Sequence, residues 1–258
     1  MRPRRNILHH HFLANLLGSL QKADMKKPHA HRAILVLESP WGLDDSDANR
    51  SSVLPFIEGV AKYAGDTEVF HANFYDVSSF KKALECLCKT KYSNTTVYIA
   101  AHGSAGKIGN VDLFDAMASI ALRSRDYNIS GVLLGACYVG KDSTALEACI
   151  EDSAIRWCVG YASSAWWIEG TLIDCAILSA MTALTTDEHR DAETLTETLA
   201  DALAPFASTY PIGKSRRGSA VALQDSLQAV IQPAGQGHRA RNVSKQVFDA
   251  SEQLQIAA

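Results

Sequence analysis

Hydrophobic residues in this chain form short continuous runs that alternate with stretches of helical spacing. The runs are of the length that buried parallel strands need, and they cover residues 33–37, 68–74, 95–101, 131–136 and 155–160. Between these runs, apolar residues recur on one helical face in four segments. Three cover about residues 52–63, 111–122 and 143–150, and the fourth begins at the predicted cap Ser78. Strands separated by helices imply right-handed crossovers. The pattern therefore predicts an α/β fold, a mostly parallel sheet flanked by helices.

Beyond residue 160 the pattern becomes helical. Helices are predicted over residues 172–184, 192–206 and 220–231, with a basic, turn-rich connector over 210–218. The polar tail from Gln232 is predicted to be loosely ordered. We therefore divide the chain into an amino-terminal basic and amphipathic segment (1–31), an α/β core (32–184), a carboxy-terminal helical region packed on that core (185–231) and the tail (232–258).

Composition narrows the class of protein. The chain has 258 residues, of which 47% are hydrophobic, enough for one large domain. A formal net charge of −3 gives no strong field for nucleic acid or acidic lipid, and no apolar stretch reaches the length of a membrane span. The six cysteines lie mostly within apolar patterns and lack zinc-finger spacing, so we interpret them as reduced thiols of a cytoplasmic protein.

The amino-terminal segment carries basic residues, then apolar residues at helical spacing interrupted by three histidines, His9 to His11. Its interruptions argue against a secretory signal. Two interpretations remain open, a helix packed on the body and a helix that docks a partner or a membrane surface. The histidines have no accompanying carboxylate or cysteine, so neither a metal site nor a cofactor is predicted.

Two predicted strands end in residues able to carry out nucleophilic or acid-base chemistry. The run 95–101 leads into His102 and Gly103, and the run 131–136 leads into Cys137. Because the carboxyl ends of parallel strands open on one edge of the sheet, we expect His102 and Cys137 to lie side by side. A thiol beside an imidazole can perform covalent acyl transfer, since the thiolate attacks and the imidazole moves the proton.

A strand ending in His-Gly, a helix, and a strand ending in Ala-Cys with a glycine three residues later resembles the caspase-like cysteine peptidases, which include metacaspases and the CHAT proteases. The matching motifs are AHGSAG at 101–106 and LGACYVG at 134–140. The resemblance implies that Cys137 is the nucleophile and that His102 protonates the leaving amine and then activates water. It also implies that the backbone N–H groups of Gly103 and Cys137 form the oxyanion hole.

Substrate preference does not transfer with the resemblance. Family members that cut after Arg or Lys have an Asp two residues before the cysteine, whereas this chain has Gly135. Asp44 and Asp45, in the loop after the first strand, are candidates for an acidic pocket that takes a basic side chain, or are simply a solvated loop. Trp166, Trp167 and Glu169 fall where family members line the substrate cleft, and a buried Trp is the alternative for either indole.

We therefore predict a cysteine endopeptidase that cleaves proteins through a Cys-His dyad and a thioester acyl-enzyme. The resemblance further implies a bacterial effector of stress, defence or cell death, activated by a partner protein or a small signal. One alternative is a catalytically silent caspase-like scaffold or regulatory module. Another is a thioester hydrolase or transferase, although the chain has no glycine-rich phosphate loop for a coenzyme.

Overall fold

A computed structural model describes residues 31–41, 51–104, 106–235 and 238–257. Its strands are β1 Arg32–Glu38, β2 Thr67–Asn73, β3 Asn94–Ala100, β4 Gly103–Ser104, β5 Lys107–Ile108, β6 Val111–Asp112, β7 Ile129–Gly135, β8 Trp157–Tyr161, β9 Pro211–Lys214, β10 Ala220–Ala222, β11 Leu227–Ile231 and β12 Arg241–Asn242. Its α-helices are α1 Leu54–Ala64, α2 Val77–Leu87, α3 Leu113–Tyr127, α4 Ser143–Ile150, α5 Trp167–Ala183, α6 Ala192–Leu203, α7 Leu223–Ser226 and α8 Ser244–Ala257. Short 3₁₀ turns cover Val139–Lys141 and Glu188–Arg190.

The centre of the described fold is a seven-stranded sheet with the order β12-β11-β8-β7-β3-β1-β2. Strands β2, β1, β3, β7 and β8 are parallel, while β11 pairs antiparallel with β8 and β12 antiparallel with β11. Helices flank this sheet, which confirms the predicted α/β class. The other described strands form a small antiparallel sheet (β4, β5 and β6) and a hairpin (β9 and β10).

Side chains that alternate along the strands build a separate core on each face of the sheet. On one face Leu37, Ile99 and Leu134 pack with α2, α3 and α4, and on the other Val36, Leu133 and Val159 pack with α1, α5, α6 and α8. Both faces are covered, which is why the strands appear in the sequence as continuous apolar runs. Each core buries side chains completely, and this fixes the strand ends that carry the site.

Several predicted element boundaries are corrected by the structure. The cap of α2 is Asp76, whose carboxylate accepts the Ser79 N–H at 2.8 Å in a capping box, and the predicted cap Ser78 lies inside the helix. Helix α5 begins at Trp167, five residues before the predicted start. The predicted connector contains strand β9, which pairs with β10.

The carboxy-terminal prediction is wrong at two places. Residues 220–231, predicted as a helix, are mostly strand, because β11 pairs with β8 and extends the sheet. A short apolar run can form either a helix or a strand. Here it forms a strand, because β8 has an edge with which β11 can pair. The tail, predicted to be loosely ordered, contains helix α8, which buries Val247 and Phe248 against the sheet core. The sheet therefore extends past the predicted core boundary at residue 184.

The predicted amino-terminal segment lies outside the described residues, apart from its last residue, His31. Within the described part, no helix combines the length and apolarity that crossing a membrane requires. All six cysteines lie in the described part and are free thiols.

Candidate active site

Cys137 and His102 occupy equivalent positions on neighbouring strands. Ala100 at the end of β3 pairs with Gly135 at the end of β7 in parallel register. His102 lies two residues beyond Ala100, and Cys137 lies two residues beyond Gly135. Both side chains therefore lie at the carboxyl edge of the sheet, where they line the same pocket. The juxtaposition expected from the sequence is present.

The imidazole of His102 is oriented by the loop after β1. Its Nε2 lies 2.8 Å from the Trp41 carbonyl oxygen, and the two rings meet edge to face with centroids 5.1 Å apart. A carbonyl oxygen only accepts, so Nε2 carries the proton and Nδ1 keeps the lone pair in the neutral ring. Nδ1 is thus the nitrogen available to exchange a proton with a neighbouring group.

Trp41 is itself held by the buried Glu38 at the end of β1. The Glu38 carboxylate accepts the Trp41 Nε1–H at 3.3 Å and the Val53 N–H at 2.9 Å, and it also meets Ser52 and His71. Burial opposes ionisation of Glu38, but the hydrogen bonds from His71, Ser52 and Val53 outweigh it and lower the pKa of the carboxyl. Glu38 therefore holds Trp41, whose carbonyl orients His102.

The Cys137 thiol is held by the loop after β8. Its Sγ accepts the Ala165 N–H at 3.4 Å and lies 3.8 Å from the Ala165 carbonyl oxygen. No hydrogen bond joins Sγ directly to His102 among the contacts of the described residues. Catalytic hydrogen bonds are often formed only once substrate is bound. The thiol is partly exposed, as a nucleophile must be.

Gly103 packs directly against the peptide of Cys137. A Cβ built on Gly103 would lie 2.0 Å from the Cys137 carbonyl oxygen and 2.5 Å from its nitrogen. Only glycine permits this approach. The Cys137 N–H makes no backbone hydrogen bond to another described residue, so it remains available to a ligand. The predicted oxyanion-hole residues are thus adjacent.

The pocket has a volume of about 270 Å³ and a carboxylate in its floor. Asp174, from α5, accepts the Tyr98 hydroxyl and the Tyr161 hydroxyl, each at 2.8 Å. Burial raises the pKa of Asp174 to about 7, and the hydrogen bonds from Tyr161 and Tyr98 oppose that rise. No cationic side chain of the described residues forms an ion pair with Asp174. The floor is a buried carboxylate that lacks a counter-charge.

Gly135 makes room for this floor. A Cβ at Gly135 would lie 2.7 Å from the Tyr98 ring and 2.8 Å from Asp174 Oδ2. Asp174 therefore occupies the space where a side chain at position 135 would project. Sequence reasoning missed Asp174 because it lies within a helix that is apolar nearly all round. The sequence does contain one indication of its role, since a single carboxylate in an otherwise apolar, buried helix needs a polar partner.

Only some of the other predicted site residues line the pocket. Trp166 and Trp167 both line the pocket, with Trp166 41% exposed and Trp167 packed edge to face on Phe56. Glu169 is in the first turn of α5 but does not line the pocket. Asp44 and Asp45 lie outside the described residues. Within the described part, no group of three His, Cys, Asp or Glu side chains is placed to hold a metal ion.

The loop after β8, which lines the pocket and holds the thiol, is supported by the β9 hairpin. Ser164 N–H donates to the Lys214 carbonyl at 3.1 Å and Trp166 N–H donates to the Ile212 carbonyl at 3.0 Å. A Cβ on Gly213 would lie 1.9 Å from the Ser164 carbonyl oxygen, so the two backbones touch. The segment predicted as a connector is therefore part of the site's framework.

Comparison with known proteins gives a structural likeness only. No protein-family model matches the chain, and no curated protein sequence matches it. One similar solved structure is a secreted C11 cysteine protease from Bacteroides thetaiotaomicron, iotapain, with 10% identity and a TM-score of 0.48 over 79% of this chain and 67% of that one. Another is caspase-1 from Spodoptera frugiperda, with 12% identity and a TM-score of 0.44 over 71% of this chain and 81% of that one.

Proposed function

We propose that this protein is a cysteine endopeptidase in which Cys137 is the nucleophile and His102 is the acid-base group. The observation that carries the proposal is the placement of both residues two positions beyond a paired strand end, in one pocket, with His102 Nδ1 left free by the Trp41 carbonyl. The peptide bond as substrate rests on the resemblance of the two sequence motifs to caspase-like peptidases.

The first half-reaction forms an acyl-enzyme. His102 Nδ1 takes the proton of the Cys137 thiol, and Sγ attacks the carbonyl carbon of the scissile peptide. The N–H groups of Gly103 and Cys137 stabilise the resulting oxyanion, and such a donor is worth about 3 kcal/mol. The carbon–nitrogen bond then breaks as His102 returns its proton to the leaving amine. A thioester on Cys137 and a free amine are the products.

The second half-reaction restores the thiol. His102 Nδ1 takes a proton from a water molecule, whose oxygen attacks the thioester carbonyl. The carbon–sulfur bond breaks, the proton passes to Cys137, and a carboxylic acid leaves. Trp41 keeps Nε2 protonated throughout, since its carbonyl continues to accept the Nε2 proton while Nδ1 gains and loses the proton that is transferred.

The pocket favours a substrate with a cationic side chain before the cut. Its walls include Trp41, Trp166 and Trp167, on which an aliphatic stem packs, and its floor is the uncompensated carboxylate of Asp174. A guanidinium or ammonium group would supply the missing counter-charge, whereas an acidic side chain would face repulsion. We therefore assign the acidic group of this pocket to Asp174, while Asp44 and Asp45, which lie outside the described residues, stay candidates from the sequence.

Peptide hydrolysis tests the proposal. Fluorogenic peptides that differ only in having Arg, Lys, norleucine or Asp before the cut are offered to the wild type, Cys137→Ala, His102→Ala and Asp174→Asn. We expect Arg and Lys peptides to be cleaved by the wild type, no cleavage by Cys137→Ala, and loss of the preference for cations in Asp174→Asn. Cleavage that survives Cys137→Ala would refute the assignment.

The scaffold alternative makes the opposite prediction, an unreactive Cys137 in the wild type. An effector role under the control of a partner protein or a small signal belongs to our proposal as an implication of the motif resemblance. Activity that appears only after addition of such a factor would support that part.

A further inference from the structure

A second polar pocket lies at the opposite, amino edge of the sheet. It has a volume of about 130 Å³, and the residues that line it include Asn94, Ser130, Arg156, Thr186, His189 and Arg190. Asn94 begins β3, Ser130 is in β7, and Arg156 precedes β8. No Asp or Glu is among its lining residues. We refer to this cavity as the basic pocket.

Arg156 brings an uncompensated positive charge to the basic pocket. Its guanidinium donates to the Gln232 carbonyl at 3.4 Å and forms no ion pair with a described carboxylate. Burial, together with the neighbouring Arg190 and Arg125, lowers the pKa of Arg156. Two arginines that line a half-buried cavity with no Asp or Glu in its lining favour an anionic ligand.

His189 supplies an unpaired buried polar atom in the same pocket. The side chain is almost fully buried, with 2% of the residue exposed, and its Nδ1 lies 2.9 Å from the Thr185 carbonyl oxygen. Nδ1 therefore carries the proton, and Nε2 has no hydrogen-bond partner among the described residues. Burial lowers the pKa of His189, so the ring is neutral and Nε2 is an acceptor. A buried acceptor without a donor favours a ligand that carries an O–H or N–H group.

We propose that the basic pocket binds a hydrogenphosphate group. Such a group satisfies both requirements, since its charged oxygens pair with Arg156 and Arg190 and its P–O–H donates to His189 Nε2. Sulfate has the same shape and charge but no O–H at neutral pH, so it cannot make the last bond. The inference does not depend on the proposed peptidase activity.

Titration of the full chain with inorganic phosphate, followed by the backbone amide NMR signals of residues that line the basic pocket, tests the proposal. Chloride keeps the ionic strength constant. We expect saturable binding with a dissociation constant of about 1 mM or below, and at least about tenfold weaker binding of sulfate, because one hydrogen bond is lost. A parallel titration with AMP and with phosphate at about pH 6, where about half of the monoester retains its P–O–H, identifies the source of the group. Tighter binding of AMP assigns the pocket to a nucleotide monoester, and weaker binding assigns it to the free ion.

Three variants separate the contributions. Arg156→Gln and Arg190→Gln should each weaken phosphate binding at least about tenfold. His189→Asn keeps an N–H that can donate to the Thr185 carbonyl but removes Nε2, so phosphate should bind no better than sulfate. The exposed Arg239, which lies outside the basic pocket, provides the matched control, and Arg239→Gln should bind phosphate as the wild type does.

Three results would each overturn the proposal, the first two of which compare affinities. One is equal affinity of the wild type for phosphate and sulfate, and the other is unchanged phosphate affinity in Arg190→Gln. Arg190 is exposed, so its substitution tests the pocket even if Arg156→Gln does not fold. Absence of any saturable shift at the basic pocket would equally refute it.

Discussion

At the scale of single residues, Gly103 is a position where a methyl group has almost no room. A Cβ there would overlap the backbone of Cys137, which cannot move aside as a flexible side chain would. We expect Gly103→Ala to slow probe labelling of Cys137 at least about tenfold and to destabilise the fold by about 1 to 3 kcal/mol.

Gly59 is the matched control, because it is in α1 with nothing within 4 Å of an added Cβ. Gly59→Ala should leave labelling unchanged and stabilise the protein by up to about 1 kcal/mol. Labelling rates and thermal unfolding of both variants provide the measurement. Equal behaviour of the two variants would show that the close approach of Gly103 to Cys137 is absent.

Asp174 should make substrate preference depend on pH. Only its ionised form attracts a cation, and burial raises its pKa to about 7. The ratio of kcat/KM for an Arg peptide to that for a norleucine peptide should therefore rise as the pH increases through about 7 and level off about one pH unit above that value. Asp174→Asn should have a low ratio that does not change with pH. A ratio independent of pH in the wild type would remove Asp174 from the specificity pocket.

Asp174 should also make the stability of the fold depend on pH, with stability falling over the pH range in which the preference for cations rises. Its folded pKa of about 7 exceeds the ordinary value of 3.8, so the folded state binds the proton more strongly than the unfolded chain does. The stability of the wild type relative to Asp174→Asn should therefore be highest below about pH 4 and fall as the pH rises to about 7. Urea unfolding at a series of pH values measures this difference, and a rise over that range would contradict the assignment.

At the scale of elements, the strands could be predicted but the carboxy-terminal region could not. Continuous apolar runs placed β1, β3 and β7 correctly, since strands buried on both faces have such sequences. Strand β11 was predicted as helix because its identity depends on the exposed edge of β8, a contact distant in sequence. Helix α8 was missed because its few buried residues are separated by polar ones.

Helix α8 should contribute to the stability of the whole domain. Phe248 is buried against the second core, whereas Leu254 on the same helix is 41% exposed. We expect Phe248→Ala to cost about 3 kcal/mol of unfolding free energy and Leu254→Ala about 0.5 kcal/mol or less. Chemical denaturation of both variants tests this. Similar small losses in both would mean that α8 is not docked on the core.

The part of the candidate site that follows the strands could be predicted from the sequence, and the part that depends on helix packing could not. His102 and Cys137 follow strands, and neighbouring parallel strands place their ends together. Asp174 comes from a helix, Tyr98 from the interior of β3 and Tyr161 from the end of β8. Only the packing of α5 across the sheet brings the three together. The loop contact from Trp41 to His102 likewise has no signal in the sequence.

At the scale of the whole molecule, folding should divide the six thiols into two groups. Burial raises the pKa of Cys88 and Cys149 to about 11 and that of Cys175 to about 12, and Cys158 is fully buried. Cys86 is exposed, and Cys137 opens to the pocket. We expect brief treatment with iodoacetamide at neutral pH to modify Cys86 and Cys137 alone, because Cys88 and Cys158 are buried and the raised pKa values of Cys149 and Cys175 leave these partly exposed thiols without thiolate.

Peptide mapping by mass spectrometry, with urea-unfolded protein as the reference in which all six react, measures this pattern. Rapid modification of Cys158 in the native protein would show that the sheet does not form the sealed core described above. Protection of Cys86 would contradict its exposure on α2.

If Cys137 and His102 act as a pair, the reactivity of the Cys137 thiol depends on the His102 imidazole. Labelling kinetics resolved for each cysteine measure this dependence. An electrophilic peptide probe with Arg in the terminal position is added to the wild type and to His102→Ala, with Cys86 in the same molecule as the internal reference. We expect a single rapid adduct on Cys137 that forms at least about 100-fold more slowly in His102→Ala, because an acid-base group is lost, while the labelling rate of Cys86 is unchanged. Labelling of Cys137 at the same rate in both proteins would contradict it.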